Sequence, residues 1–277
     1  MTLAEDLGAD PRRFLVLKVG GALFSDKSKT NSLSNEVLDW YADLIARDYG
    51  EYAGRFILVT GGGSFGHGAV REAEGSSERM LALTDAVFAL KNCWAESLRK
   101  RNVPVIPLQI ASFAQLDSRG RLVLSGNPIQ AALSRGILPI LSGDIVFRES
   151  QMAEVFGSDR VPSLCLELGC RPLRVVMLTD RPGIIQGGID GTKEIRDIDP
   201  LDADHALSAI WKEQESDVTA GMQGKLTSLI ALATRGVECI IAEGRPTHAS
   251  FTSIAELVRS RRFNFAHTRI SPVEAAR

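Results

Sequence analysis

The chain has 277 residues, 44% of them apolar, and its 32 basic and 34 acidic residues leave a formal charge of -2. That balance suits a globular protein with one extended core or two lobes and excludes a disordered chain, while the interspersed charges argue against a nucleic-acid-binding face or an acidic tail. No apolar run approaches the ~18 residues of a membrane span, and the polar start MTLAEDLGADPRR has no apolar signal region, so a cytoplasmic protein is expected.

Six short Val/Ile/Leu-rich runs read in chain order as strands buried on both faces: Phe14 to Val19, Phe56 to Thr60, Val103 to Leu108, Ile137 to Leu141, Arg174 to Leu178, and Val237 to Ala242. Between the first two, Val37, Leu38, Tyr41, Leu44 and Ile45 fall on one helical stripe, and after the second, Leu83, Val87, Leu90, Trp94 and Leu98 form another. Ala114 to Leu124, with Ser-Arg-Gly in its middle, predicts a hairpin. Asn127 before Pro128 and Asp199 before Pro200 are helix-start signals, and Gly136, Gly169 and Gly236 close the helices before them. The alternation predicts an α/β fold, a three-layer αβα sandwich around a central, mostly parallel sheet, with sites beyond the carboxyl ends of the strands. Cys93, Cys165, Cys170 and Cys239 lack CxxC spacing and are expected to be reduced thiols rather than a disulfide or zinc framework. His205, His248 and His267 have no companions and read as structural or surface residues.

Glycine-rich stretches follow the strands. The first strand ends in Lys18-Val19-Gly20-Gly21, with Lys27 on the loop beyond. A lysine inside an apolar strand is costly to bury without an anion, and the glycines after it would bare backbone N–H groups as an anion nest. The second strand runs into Gly61-Gly62-Gly63-Ser64-Phe65-Gly66-His67, where a helix expected to begin near Gly66 would add its positive end. The same glycines match GxGxxG, but Asp85, at the right separation for a ribose-binding acid, lies inside a helical stripe rather than at a strand end. A dinucleotide site is disfavoured on that ground, and the P-loop pattern is missing. Further along stand Ser142-Gly143-Asp144, a helix opening at Gly157-Ser158-Asp159, Thr179-Asp180-Arg181-Pro182-Gly183, and Asp217-Val218-Thr219-Ala220-Gly221-Met222-Gln223-Gly224-Lys225.

In this order, KxGG, GGGSFGH, SGD, GSD, TDxxG and DVTxGMxxK resemble the amino acid kinase family over nearly the whole chain. Within it, GGGSFGH is similar to the isopentenyl phosphate kinases and the fosfomycin kinases, and KVGGALFSDK with LTDAVFALKNCWAESLR looks most like the latter. The resemblance implies one amino acid kinase domain over 1–277, with an acceptor lobe over 1–172 and a nucleotide lobe over 173–277. It implies ATP as donor, Mg²⁺ held by phosphate oxygens and water with no assigned protein ligand, and a homodimer. Lys18, Lys27 and Lys225 would surround the transferring phosphoryl, Asp159 would hold Lys18 and Lys225 charged, and His67 would donate to the acceptor. Gly62, Gly63, Gly66, Gly157 and Ser158 would contact the acceptor; Gly20, Gly21, Thr179, Asp180, Gly183, Thr219, Gly221 and Met222, with Lys18 and Lys225, would hold the nucleotide. This chain departs from the family patterns at Gly157, where the fosfomycin kinases carry serine, and at Arg181-Pro182, where the family carries Val-Asp. The expected acceptor is a small phosphonate or phosphate monoester, fosfomycin first, in antibiotic resistance or self-protection. Isopentenyl phosphate is the alternative, followed by another biosynthetic intermediate or a nucleotide-binding sensor without catalysis.

Overall fold

A computed structural model describes residues 13–26, 28–29, 31–72, 76–148, 153–167, 169, 171–186, 193–209, 221–248, 251–259, 263 and 265–273. All six expected strands are present as β1 (Arg13–Val19), β2 (Phe56–Thr60), β3 (Val105–Pro107), β6 (Leu138–Ser142), β9 (Arg171–Thr179) and β13 (Glu238–Glu243). They share one eight-stranded sheet in the order β12-β14-β13-β9-β1-β2-β6-β3, completed by β12 (Asp197–Ile198) and β14 (His267–Ile270). Every neighbouring pair is parallel except β13 with β14. The parallel strands alternate two buried faces. In β1, Leu15, Leu17 and Val19 enter one core, while Phe14 and Val16 enter the other.

Helices cover both faces. The first core packs under α1 (Asn35–Tyr52), the last half of α3 (Ser76–Arg99) and α8 (Ile254–Arg259), through Tyr41, Ile45, Trp94, Leu98, Ile254 and Leu257. The second packs under α4 (Pro128–Leu133), α5 (Val161–Glu167), α6 (Ala203–Ala209) and α7 (Gly221–Ala233). This is the expected αβα sandwich. Start signals act as read: Asn127 accepts from the Gln130 amide at 2.8 Å ahead of Pro128, and Asp199 accepts from the Leu201 amide at 2.9 Å. Gly136, Gly169 and Gly236 all take positive φ after their helices.

The predicted hairpin forms as β4 (Ala114–Leu116) and β5 (Leu122–Leu124). It belongs to a second sheet, β5-β4-β7-β8, with β7 (Asp144–Arg148) and β8 (Ala153–Phe156). A short hairpin, β10 (Ile184–Gln186) with β11 (Lys193–Ile195), stands apart from both. The boundary expected at residue 172 falls inside β9, whose parallel pairing with β1 makes the main sheet continuous across it. Among the described residues no helix is long and apolar enough to cross a membrane. Cys165 and Cys239 are buried, and Cys93 is half-buried.

Candidate active site

Strand register gathers the glycine stretches at one end of the sheet. Val19 lies beside Thr60 and Leu178, Thr60 beside Ser142, and Thr179 beside Glu243, so five loops leave the sheet together at its carboxyl edge.

The first two loops pack into one another. A Cβ on Gly21 would lie 2.2 Å from the Gly63 amide nitrogen, and one on Gly61 would lie 2.4 Å from that of Gly21. Gly63 also holds φ +52°. Close packing of the two loops thus requires glycine at these positions, independently of the anion cradle expected there. Gly20 is pressed against the Leu178 carbonyl, where its amide donates at 2.8 Å. Helix α2 (Gly63–Glu72) begins at Gly63, not near Gly66, because the Ser25 hydroxyl accepts from the Ser64 amide at 2.9 Å and caps the turn three residues early. The positive end of α2 thus coincides with the glycine crossing, and Gly62, Gly63 and Gly66 lie in its first turn or next to it. His67 follows on the same helix; its side chain lies outside the described residues, as do Lys27 and Thr219.

Lys18 is 2% exposed and its ammonium donates to the carboxylate of Asp159, itself 8% exposed. Period-two alternation explains the meeting. Lys18 follows Phe14 and Val16 on the face covered by α5, and Asp159 stands in the turn just before that helix. The turn is seated by Gly143, whose added Cβ would lie 2.9 Å from the Ser158 amide nitrogen and 3.1 Å from the Phe156 carbonyl. Gly157 has open space where a Cβ would go. The helix opening expected at Gly157 is this turn, with α5 proper starting at Val161. Lys225 is half-buried on α7, over the same sheet face as Lys18, with Met222 also half-buried and Gly221 at the helix start.

Beyond β9, the Thr179 hydroxyl closes a turn, accepting from the Arg181 amide at 3.1 Å and donating to the Arg181 carbonyl at 2.9 Å. Gly183, at φ +149°, is wedged against Thr268 of β14, whose hydroxyl accepts from the Ile184 amide at 2.7 Å. Its lack of a side chain thus has a structural cause. Asp180 stays in the loop and raises the basicity of Arg245 as a minor contribution behind Glu243. Glu243 and Arg245 form a two-pronged pair at 2.8 and 2.9 Å. Burial pushes the Glu243 carboxyl up, but the Arg245 hydrogen bonds and charge outweigh it and hold it below the usual range.

Sequence reasoning passed over the Glu243–Arg245 pair and Lys91. Lys91, on α3, is fully buried, donating to the Leu108 carbonyl at 2.6 Å and to the Gln109 side-chain oxygen. Burial lowers its pKa to about 8, against the attraction of Asp144. Asp144 is also fully buried and accepts from the Ala111 and Ile145 amides at 3.1 and 2.9 Å; burial raises its carboxyl in spite of them. The signal was available: Lys91 lies one turn beyond Val87 on the apolar stripe.

Among the described residues no three of His, Cys, Asp or Glu converge as a metal-holding set. The carboxyl edge of the sheet instead carries the positive end of α2 and the buried, paired ammonium of Lys18, two features suited to oxyanions.

The chain is similar to isopentenyl phosphate kinases. It is 26% identical over 272 residues to that of Methanothermobacter thermautotrophicus, covering 91% of this chain and all of the relative. It is 31% identical over 226 residues to that of Haloferax volcanii, covering 79% and 88%. A crystal structure of an isopentenyl phosphate kinase substrate complex shares the fold at TM-score 0.70 and 19% identity, over 93% of this chain and 99% of that one. The profile of the amino acid kinase family matches residues 13–243, from the strand that carries Lys18 to the pair that ends β13, and the chain belongs to that family.

Proposed function

We propose that this protein transfers the γ-phosphoryl group of ATP to an oxygen of a small phosphate monoester, with isopentenyl phosphate ahead of the phosphonate fosfomycin. The observation that carries the reading is the buried Lys18–Asp159 pair at the crossing of the glycine loops. The similarity to isopentenyl phosphate kinases supports the choice of acceptor. A small apolar cluster separate from both cores supports it too: Leu83 and Val87 of α3 meet Ile145, with Met80 and Ala111 alongside. Leu83 reaches toward Gly66, 3.7 Å from where its Cβ would stand, so this apolar cluster lies beside the first turn of α2.

A phosphate acceptor is already an oxyanion at neutral pH and needs no general base. The obstacle is charge, since acceptor and γ-phosphate repel and the transition state spreads negative charge over fixed oxygens. Lys18, kept charged by Asp159, and the start of α2 would offset it, with Lys27 and Lys225 closing from other elements and His67 donating to the acceptor. Bound Mg²⁺ would supply further charge neutralisation from the phosphate side. The acceptor would lie on the side of residues 1–172 and ATP on the side of Thr179, Asp180, Gly221 and Met222.

The test is ATP consumption with isopentenyl phosphate, with fosfomycin, and with no acceptor. Stimulation by isopentenyl phosphate is expected. Stimulation by fosfomycin alone would restore the phosphonate reading, and stimulation by neither would count against both.

A further inference from the structure

The two glycine loops are joined by more than close backbone contact. In α2 the Gly66 amide bonds to the Gly62 carbonyl at 3.0 Å, so Gly62 stands where a capping side chain would and, being glycine, has none to offer. Ser25, from the loop after β1, supplies the cap from outside. Its hydroxyl accepts from the Ser64 amide at 2.9 Å and donates to the Gly21 carbonyl at 2.8 Å, so one oxygen is bonded to both loops. It fills the place that a side chain on Gly63 would take, with the Gly21 carbonyl 3.1 Å from the same point. A second tie runs the other way. Ser64 is fully buried and donates its hydroxyl to the Ser32 carbonyl at 2.7 Å, while the Ser34 amide closes the loop on the Phe24 carbonyl at 2.7 Å. Residues 25 and 32 of one loop are thus fastened to a single residue of α2.

We propose that Ser25 and Ser64 are positioning residues, a pair of hydroxyls that clasps the donor-side loop at Gly20-Gly21 to the acceptor-side first turn of α2 and fixes their separation. This rests on the phosphoryl-transfer reading above. Two bound anions repel, and the repulsion passes to the backbone of the loops that hold them. Contact between glycines resists approach but not separation; the hydrogen bonds of Ser25 and Ser64 resist separation. Without them the loops part, and a shift of ~1 Å between reacting groups can cost about 10²-fold in rate. Each loop alone keeps its own groups, so the affinity for either substrate by itself is retained.

The experiment measures kcat and both KM values, per folded protein, with ATP and isopentenyl phosphate in the wild type, Ser25→Ala, Ser25→Thr, Ser64→Ala and the double alanine variant. Ser25→Ala is expected to lower kcat by about tenfold or more while both KM values stay within about threefold. Ser25→Thr, which keeps the hydroxyl, should recover most of that loss, and the double variant should be about as slow as the slower single one. A merely structural cap would lower the melting temperature and leave kcat of the folded fraction within about twofold, which overturns the proposal; single losses that multiply in the double variant overturn it too. Should Ser25→Ala not fold, Ser64→Ala decides, because it keeps the amide that Ser25 caps and removes only the tie to Ser32; unchanged kcat there overturns the clasp. Variants as fast as an active wild type sink this inference alone, whereas a wild type that transfers nothing to the acceptor sinks the phosphoryl-transfer reading along with it.

Discussion

Replacing Lys18 with methionine removes one charge from the cleft with little change in volume and leaves Asp159 buried without its ammonium. Removing one partner of a buried pair costs about 3–5 kcal/mol, because the survivor keeps its desolvation penalty, whereas replacing both with apolar residues is often near neutral. The stability of Lys18→Met and of Asp159→Leu should each fall by that amount, and the double variant should recover most of it, giving a coupling of about 2 kcal/mol or more. Catalysis should behave differently. At an effective dielectric of ~20 a contact at ~4 Å is worth about 4 kcal/mol; with half lost to desolvation, ~2 kcal/mol remains, more than tenfold in rate. Urea unfolding of the four proteins, with m checked for constancy, and steady-state turnover of the folded ones measure both. The double variant should be nearly as stable as the wild type and still slower by at least tenfold. A folded Lys18→Met with kcat within twofold of the wild type would refute the role given to this ammonium, and additive stabilities would refute the pairing.

His67→Ala should raise KM for the acceptor and leave ATP affinity largely intact, measured by varying each substrate in turn. Gly21→Ala must displace the Gly63 backbone and should lose both stability and activity, whereas Gly157→Ala has room and should fold normally, its only expected effect a higher acceptor KM. The folded-state pKa of Lys91 is depressed to about 8, so the unfolded chain binds more protons between there and its ordinary value, and stability rises with pH across that window. Melting curves from pH 7 to 10 should show the wild type gaining on Lys91→Met as pH rises, and parallel curves would contradict the burial of a charged lysine. Glu238 bridges Arg174 and Arg269 at 2.7 and 2.6 Å, and their charge holds its carboxyl low against the upward push of burial. Its contribution is present above the ordinary carboxylate range and lost as pH falls through the depressed value; Glu238→Gln should remove that part of the acid transition.

The fold was legible because buried parallel strands and amphipathic helices write different periods: FILVT and VVML have room for little else, and the α3 stripe is buried at all five expected positions. Lys18 was legible for the same reason, as a charge that breaks an apolar run. Its partner was reached through the family resemblance, since residues 141 apart meet only once the sheet order is known. The glycines were read too narrowly. One sequence shows where side chains are absent, not whether a ligand or another loop fills the space, and at Gly21, Gly61 and Gly183 the neighbour is protein backbone or Thr268. The start of α2 was displaced because its cap, Ser25, comes from the first loop and not from the residues just before the helix. The position of Lys91 on the apolar stripe was legible, but not the Leu108 carbonyl and Gln109 side-chain oxygen that receive its ammonium, because they come from the segment after β3.

The most direct test is ³¹P NMR of a reaction containing the protein, ATP, Mg²⁺ and isopentenyl phosphate. Conversion of the monoester resonance to a coupled diphosphate pair in step with ADP formation is the predicted result. ATP hydrolysed to free inorganic phosphate, with the monoester signal untouched, would contradict transfer between two bound anions.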